Sequence, residues 1–179
     1  LIAALFKNVP TGVGSKSKIR LSPDQLQEAV SLGVNWAVEQ GHGVKKDTEN
    51  MEENGQMKGG DYSKVSDLAK KRGGPQLGTL GSGNHFIEVQ RVERIFDEEL
   101  AKAFGVFQGQ ITVMIHSGSR GYGHQVCDDF LKSMLSSPET KALNLADREL
   151  CSAPISSQPA QDYLAAMKTA INFAFRTGR

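Results

Sequence analysis

Apolar positions recur along this chain at helical spacing in some stretches and in unbroken β-like runs in others, with glycine-rich turns between them. Ser22-Pro-Asp-Gln25 reads as a helix start, with Ser22 as N-cap, Pro23 in the first turn and Gln25 completing a capping box. Leu26, Ala29, Val30, Gly33 and Ala37 then share one helical face, and Gly41 supplies a stop. One helix is therefore expected over 22–41, with Trp36 packed beside that face. Before it, residues 1–6 predict the end of a buried helix or strand, turning at Asn8-Val-Pro10 into the loop Thr11-Gly-Val-Gly-Ser-Lys16. Such a loop is either a turn or a phosphate cradle. From His42 to Gly60 the sequence turns polar, the pattern of an exposed excursion carrying a short helix. Asp61 to Arg72 reads as another helix, apolar at Val65, Leu68 and Ala69. Its terminal Lys70, Lys71 and Arg72 either complement the helix C-terminus or touch nucleic-acid phosphates.

Phe86 to Phe96 predicts a strand, and Asp97 to Phe104 a short helix closed by Gly105. Gln110-Ile-Thr-Val-Met-Ile115 has the continuous apolar character of a strand covered on both faces, with His116 at its carboxyl end, where open α/β sheets place ligands. A helix over 125–135 should face Val126, Phe130, Leu131 and Met134 inward. A final helix over 159–175 should bury the stripe Leu164, Met167, Ile171 and Phe175. Helices interleaved with a few strands give a mixed α/β or α+β architecture.

A chain of 179 residues with 39% hydrophobic content can bury the core of one domain. Its apolar start at Leu1 and its end at Arg179 directly after a helix predict that residues 1–179 are a central part of a single domain, cut at both ends. A formal charge of +1 argues against a sequence-independent nucleic-acid coat and leaves room for a local basic groove. Cys127 and Cys151 lack CxxC spacing and make no disulfide scaffold, which points to a reduced, intracellular setting. No apolar run approaches the roughly 20 residues of a membrane span, so no membrane association is expected.

The chemistry concentrates in Gly78-Thr-Leu-Gly-Ser-Gly-Asn-His-Phe-Ile-Glu88. Its glycines let backbone N–H groups approach a ligand, while the β-like run from Phe86 holds the neighbouring side chains. His85 is a candidate metal ligand, and Asn84 and Glu88 are candidate hydrogen-bonding groups. Ile115-His-Ser-Gly-Ser-Arg-Gly-Tyr-Gly-His-Gln125 repeats the logic, with His116 ending a strand and Arg120 in a small-residue loop. Imidazoles suit transition metals, and glycine amides with a guanidinium suit phosphate oxygens. A Walker loop is excluded, because Asn84-His85 stands where Lys-Ser/Thr is required, and GxGxxG fails at Phe86. His85-Phe-Ile-Glu88 also lacks the second histidine of a zinc-protease helix. A lone histidine is usually a structural side chain. Placement at a strand–loop junction favours a ligand role for His85 and His116, and His124 is expected to be structural or supporting. Two histidines do not complete a metal site.

The two motifs resemble signature segments of the RtcB family of RNA-splicing ligases. Leu5 to Lys16 is similar to that family's upstream loop, and Asp147-Arg-Glu-Leu-Cys-Ser-Ala-Pro154 to a later segment. The resemblance implies an RtcB-like fold, incomplete in this chain. It also implies an enzyme using two manganese ions and GTP to join an RNA 3′-phosphate or 2′,3′-cyclic phosphate end to a 5′-hydroxyl end, as in tRNA splicing and RNA repair. His85 would bind one manganese ion and His116 the other. Asn84, His85, Phe86, Ile87 and Glu88 would contact the guanine nucleotide, and Arg120 the RNA phosphate. The family's metal-bridging cysteine, third metal-binding histidine and guanylylated histidine have no counterpart here, so the segment alone is expected to be inactive. RNA, such as tRNA halves, is the implied partner, with an accessory activating protein or ligase complex as a further one. The implied location is the cytoplasm, or the nucleus in a eukaryote. Two other classes stay open: a non-catalytic phosphate- or RNA-binding module, and a metal-dependent phosphoesterase.

Overall fold

Five helices build the core, because each carries small or apolar residues at the spacing that meets another helix. The computed structural model describes residues 1–141, 143 and 145–177. Helix α1 is Ile2–Asn8, α2 Pro23–Leu32, α3 Val34–Glu39, α4 Asp67–Gly73, α5 Glu98–Ala103, α6 Arg120–Leu135, α7 Pro138–Lys141 and α8 Gln158–Thr177; β1 is Phe86–Arg91 and β2 Ile111–His116. Short 3₁₀ turns fill 45–50, 52–55, 62–64, 74–76 and 148–150. The expected mixed α/β class is what forms. Among the described residues, no helix is long and apolar enough to cross a membrane.

The core joins Leu26, Ala29 and Val30 of α2, Trp36 of α3, Ala69 of α4, Tyr122 and Val126 of α6, and Ala166, Ala170 and Phe173 of α8. Tyr122 stacks on Phe173 with ring centroids 5.0 Å apart, and its hydroxyl donates to Thr169 Oγ1 at 3.0 Å. Thr169 can accept because its own proton goes to the Ala166 carbonyl at 2.6 Å. Burial pushes the Tyr122 phenol well above its ordinary pKa, which keeps it a neutral donor.

The capping box of α2 is present, with Ser22 Oγ accepting from Gln25 N–H at 3.2 Å and Gln25 Oε1 from Ser22 N–H at 2.9 Å. The single helix expected over 22–41 is broken at Gly33, which takes φ +58° between α2 and α3. A Cβ there would stand 2.3 Å from the Gly55 carbonyl oxygen, so the break lets the 51–57 segment lie against the helix end. That polar excursion forms 3₁₀ turns instead of an exposed helix, and it buries Thr48 and Gly55. His42 is exposed, as its polar surroundings suggested.

Other expectations are corrected. Helix α1 buries none of its residues, so it is not a core element among the described residues. The second helix starts at Asp67, capped by Ser66, which buries Val65 and Ala69 but turns Leu68 outward at 53% exposure. Helix α6 begins at Arg120, five residues before the expected start at 125. In α8 the buried face is Ala166, Ala170, Phe173 and Thr177, rotated from the predicted stripe, whose residues are only half-buried.

Strands β1 and β2 form an antiparallel two-stranded ribbon in which Phe86 faces His116, Glu88 faces Met114 and Arg91 faces Ile111. Beyond β1 the pairing continues irregularly, with Val92 N–H donating to the Gln110 carbonyl at 2.9 Å. The expected cover on both faces of β2 is absent among the described residues, and Ile111 and Val113 are 63% and 61% exposed. Apolar character records that a strand wants cover, not which segment supplies it.

Candidate functional site

The two glycine motifs meet through backbone and side-chain bonds. Thr11 and Gly81 form an isolated parallel bridge, with Gly12 N–H donating to the Gly81 carbonyl at 2.8 Å and Leu80 N–H to the Pro10 carbonyl at 2.9 Å. The first glycine loop, ambiguous from its sequence, therefore lies against the central motif. Ser117 Oγ donates to the Leu80 carbonyl at 2.9 Å, tying the end of β2 to the same loop.

That bond settles the chemistry of His85. Its Nδ1 lies 3.3 Å from Ser117 Oγ. A carbonyl only accepts, so Ser117 gives its single proton to Leu80 and accepts from His85; the network assigns the proton to Nδ1 and leaves the Nε2 lone pair free. Burial, then the nearby Arg120 guanidinium and His116, hold the His85 pKa below its ordinary value. Neutral imidazole with an oriented Nδ1–H is the form that ligates metal. Ser117 was not assigned a role from sequence, although its place directly after His116 was the available signal.

His116 is exposed at the end of β2, its ring stacked on Phe86 at 5.2 Å and edge-on to His85 at 6.1 Å. Cross-strand pairing of Phe86 with His116 fixes this arrangement. The structure thus brings together the two histidines chosen from sequence. Asn84 and Glu88 are both exposed. Glu88 accepts from Gln90 Nε2 at 2.6 Å and shares the ribbon face of Phe86 and His116. Strand alternation turns Ile87 to the opposite face, so a ligand on the Phe86 face reaches Ile87 through its backbone. The two imidazoles suit metal, but they make an incomplete donor set: among the described residues no group of three or more His, Cys, Asp or Glu converges as a metal site.

Arg120 opens α6 with φ +52°, an unusual backbone for a non-glycine residue. Its guanidinium lies against Gly81, where an added Cβ would overlap it, and its Nε reaches Thr79 Oγ1 at 3.5 Å. Burial pulls its pKa down from the usual arginine value. Arg120 borders a recess of about 540 Å³ that also takes in Val13, Gly14, Arg72, Gln76, His85 and His124. Arg72 is held there by donating to Gln125 Oε1 at 2.6 Å, and Gln76 Oε1 accepts from Gly121 N–H at 2.8 Å. Of the three cations ending α4, Arg72 faces this recess, whereas Lys70 pairs with Asp67 at 3.4 Å. His124 lines the wall and lies 3.4 Å from Asp128. Two guanidiniums and a neutral imidazole around an open recess suit a phosphate group.

The scaffold and site therefore define a mixed α/β protein that presents paired imidazoles beside a cationic, glycine-walled recess. Residues 1–178 match the sequence model of the family described as "tRNA-splicing ligase RtcB". The tRNA-splicing ligase RtcB of Pyrococcus furiosus is 53% identical over 175 residues, covering 98% of this chain and 18% of that protein. Those of Thermococcus kodakarensis and Aeropyrum pernix are each 51% identical, with 98% of this chain and 36% of each relative covered. The chain belongs to the RtcB family. It spans between 18% and 36% of the length of these curated relatives.

Proposed function

We propose that the full-length protein is an RNA ligase that joins an RNA 3′-phosphate or 2′,3′-cyclic phosphate end to a 5′-hydroxyl end, dependent on manganese and GTP. The observation that carries this reading is the pairing of the His85 and His116 rings 6.1 Å apart beside the Arg120 recess. His85 through Nε2, and His116, would each contribute to holding a manganese ion, with the remaining ligands supplied outside this chain. Manganese, when bound, would act as a Lewis acid on phosphoryl oxygens. Arg120 and Arg72 bind and orient the terminal phosphate of the RNA, and Ser117 holds His85 in its ligating tautomer. Asn84 and Glu88, exposed beside His85, contact the guanine nucleotide together with Phe86 and the Ile87 backbone. The histidine that becomes guanylylated lies outside the 179 residues, so the segment alone does not ligate. The RNA partners are cleaved strands such as tRNA halves, with an accessory activating protein or ligase complex alongside, in the cytoplasm or a nucleus.

The test incubates the full-length protein with manganese, GTP labelled on its α-phosphate, and RNA bearing a 3′-phosphate and a 5′-hydroxyl. Expected are covalent labelling and ligation, both lost in His85→Ala and His116→Ala, and no label on the 179-residue segment. GTP binding indifferent to manganese and to His85→Ala would point instead to a non-catalytic module. Phosphate release without nucleotide would point to a phosphoesterase.

A further inference from the structure

A second recess, of about 370 Å³, lies on the other side of the turn that walls the cationic one. The 3₁₀ turn Gly74–Gln76 separates them: Gly74 and Pro75 line the second recess, and Gln76 with Arg72 line the first. At roughly 2 Å rise per residue, this divider is only about 6 Å long. The second recess is unlike the first in character. Its floor and walls are apolar, made by Ile19, Leu21, Leu26, Pro75 and the ring of Tyr62. Its rim carries Arg20, Lys70 and Lys71 against a single carboxylate, Asp67.

The charges at that rim are unevenly committed. Lys70 stands 4.5 Å over the Tyr62 ring and 3.4 Å from Asp67, which fixes the ring and neutralises the carboxylate. Arg20 and Lys71 are exposed and pair with no other described residue. An apolar slot with one aromatic wall suits a planar ring, and two uncommitted cations at its mouth suit the phosphates on either side of it. Lys70, Lys71 and Arg72 are consecutive in sequence, yet the fold directs Arg72 into one recess and Lys71 into the other.

We propose that the Tyr62 recess is a stacking subsite for a nucleobase of the same RNA strand whose terminal phosphate sits at Arg120, with Arg20 and Lys71 on the flanking phosphates. This rests on the RNA-ligase reading above and extends it. The strand passes over the Gly74–Gln76 divider, so the subsite takes a base close to the reacting end. Recognition is by stacking and backbone charge, so it tolerates any base.

The experiment measures binding of 3′-phosphorylated oligoribonucleotides of increasing length to the full-length protein across a range of salt, with ligation followed in the same preparation. Arg20→Gln combined with Lys71→Gln should flatten the slope of log affinity against log salt by about 1.4, at about 0.7 for each single-strand phosphate contact. Tyr62→Ala should weaken binding on the order of tenfold, while Tyr62→Phe, which keeps the ring, should leave it unchanged. All of these effects should vanish for a mononucleotide, which is too short to cross the divider. A photoreactive uridine near the 3′ end should crosslink to the peptide containing Tyr62. If wild-type protein ligates RNA and the Arg20/Lys71 variant keeps its affinity and salt slope, the subsite is refuted and the ligase reading stands. Wild-type protein that neither binds nor ligates RNA overturns both. Unchanged RNA binding in Tyr62→Ala would refute the stacking role whatever its melting temperature, because Tyr62 also packs against the helical core.

Discussion

Asn172→Ala tests how the helical core is held, because Asn172 is a fully buried amide that ties three segments together. Its Oδ1 accepts from Met57 N–H at 2.8 Å, and its Nδ2 donates to the Val30 carbonyl at 2.9 Å and the Met57 carbonyl at 3.0 Å. A longer contact reaches the Ser31 carbonyl at 3.4 Å. Val30 and Ser31 stand in the last turn of α2, where the break at Gly33 leaves carbonyls without helical partners, so Asn172 acts as a cap supplied from α8. Alanine would orphan the Met57 N–H and the two well-bonded carbonyls together. Each buried polar group left unpaired costs about 1–3 kcal/mol, and water entering the vacated space recovers part of it, so the expected loss is about 3 kcal/mol. Asn172→Asp should cost more, since it keeps the acceptor but turns a buried charge toward two carbonyls. Urea unfolding of the 179-residue chain, followed by the emission of Trp36, its only tryptophan and 3% exposed, reads the difference directly. A loss of no more than about 0.5 kcal/mol, the range of an ordinary surface substitution, would refute the capping argument.

Three further outcomes are expected. Ser117→Ala should release His85 from its tautomer and lower manganese affinity of the full-length protein about 10- to 100-fold, measured by titration; unchanged affinity would remove Ser117 from the site. Gly81→Ala should cost about 1–3 kcal/mol from its φ of +117° alone and further stability from the clash with Arg120. In an Arg120→Ala background only the first part should remain, so a double-mutant cycle showing no coupling contradicts the packing. The depressed His85 pKa gives a signed pH dependence: the folded state binds the proton less readily than the unfolded chain, so stability is full above the ordinary histidine value of about 6.5 and falls as pH drops through the folded-state pKa. His85→Gln should flatten that acid-side slope in urea midpoints, and an unchanged slope would assign it to other groups.

Local chemistry was legible in the sequence. The capping box at Ser22 and the glycine turns form where the pattern placed them, because such bonds close within three residues of chain. The choice of His85 and His116 was also legible, since each stood where a strand meets a glycine loop, but only the antiparallel register of β1 with β2 set their rings side by side. What the sequence left open depended on distant partners. Leu68 fits an apolar stripe yet faces outward, and α8 buries Asn172 and Phe173 in preference to Leu164, because α2, α6 and the 51–57 segment decide which face is covered. Gly33 looked like one small residue in a continuous helix until the Gly55 carbonyl came to lie against it. The separation of Arg72 from Lys71 by the Gly74–Gln76 turn has the same origin. The chain by itself determined caps, turns and the identity of the reactive groups, because those are set by neighbours in sequence. Burial, helix breaks and the direction of each cation were decided by the tertiary structure, because they are set by neighbours in space.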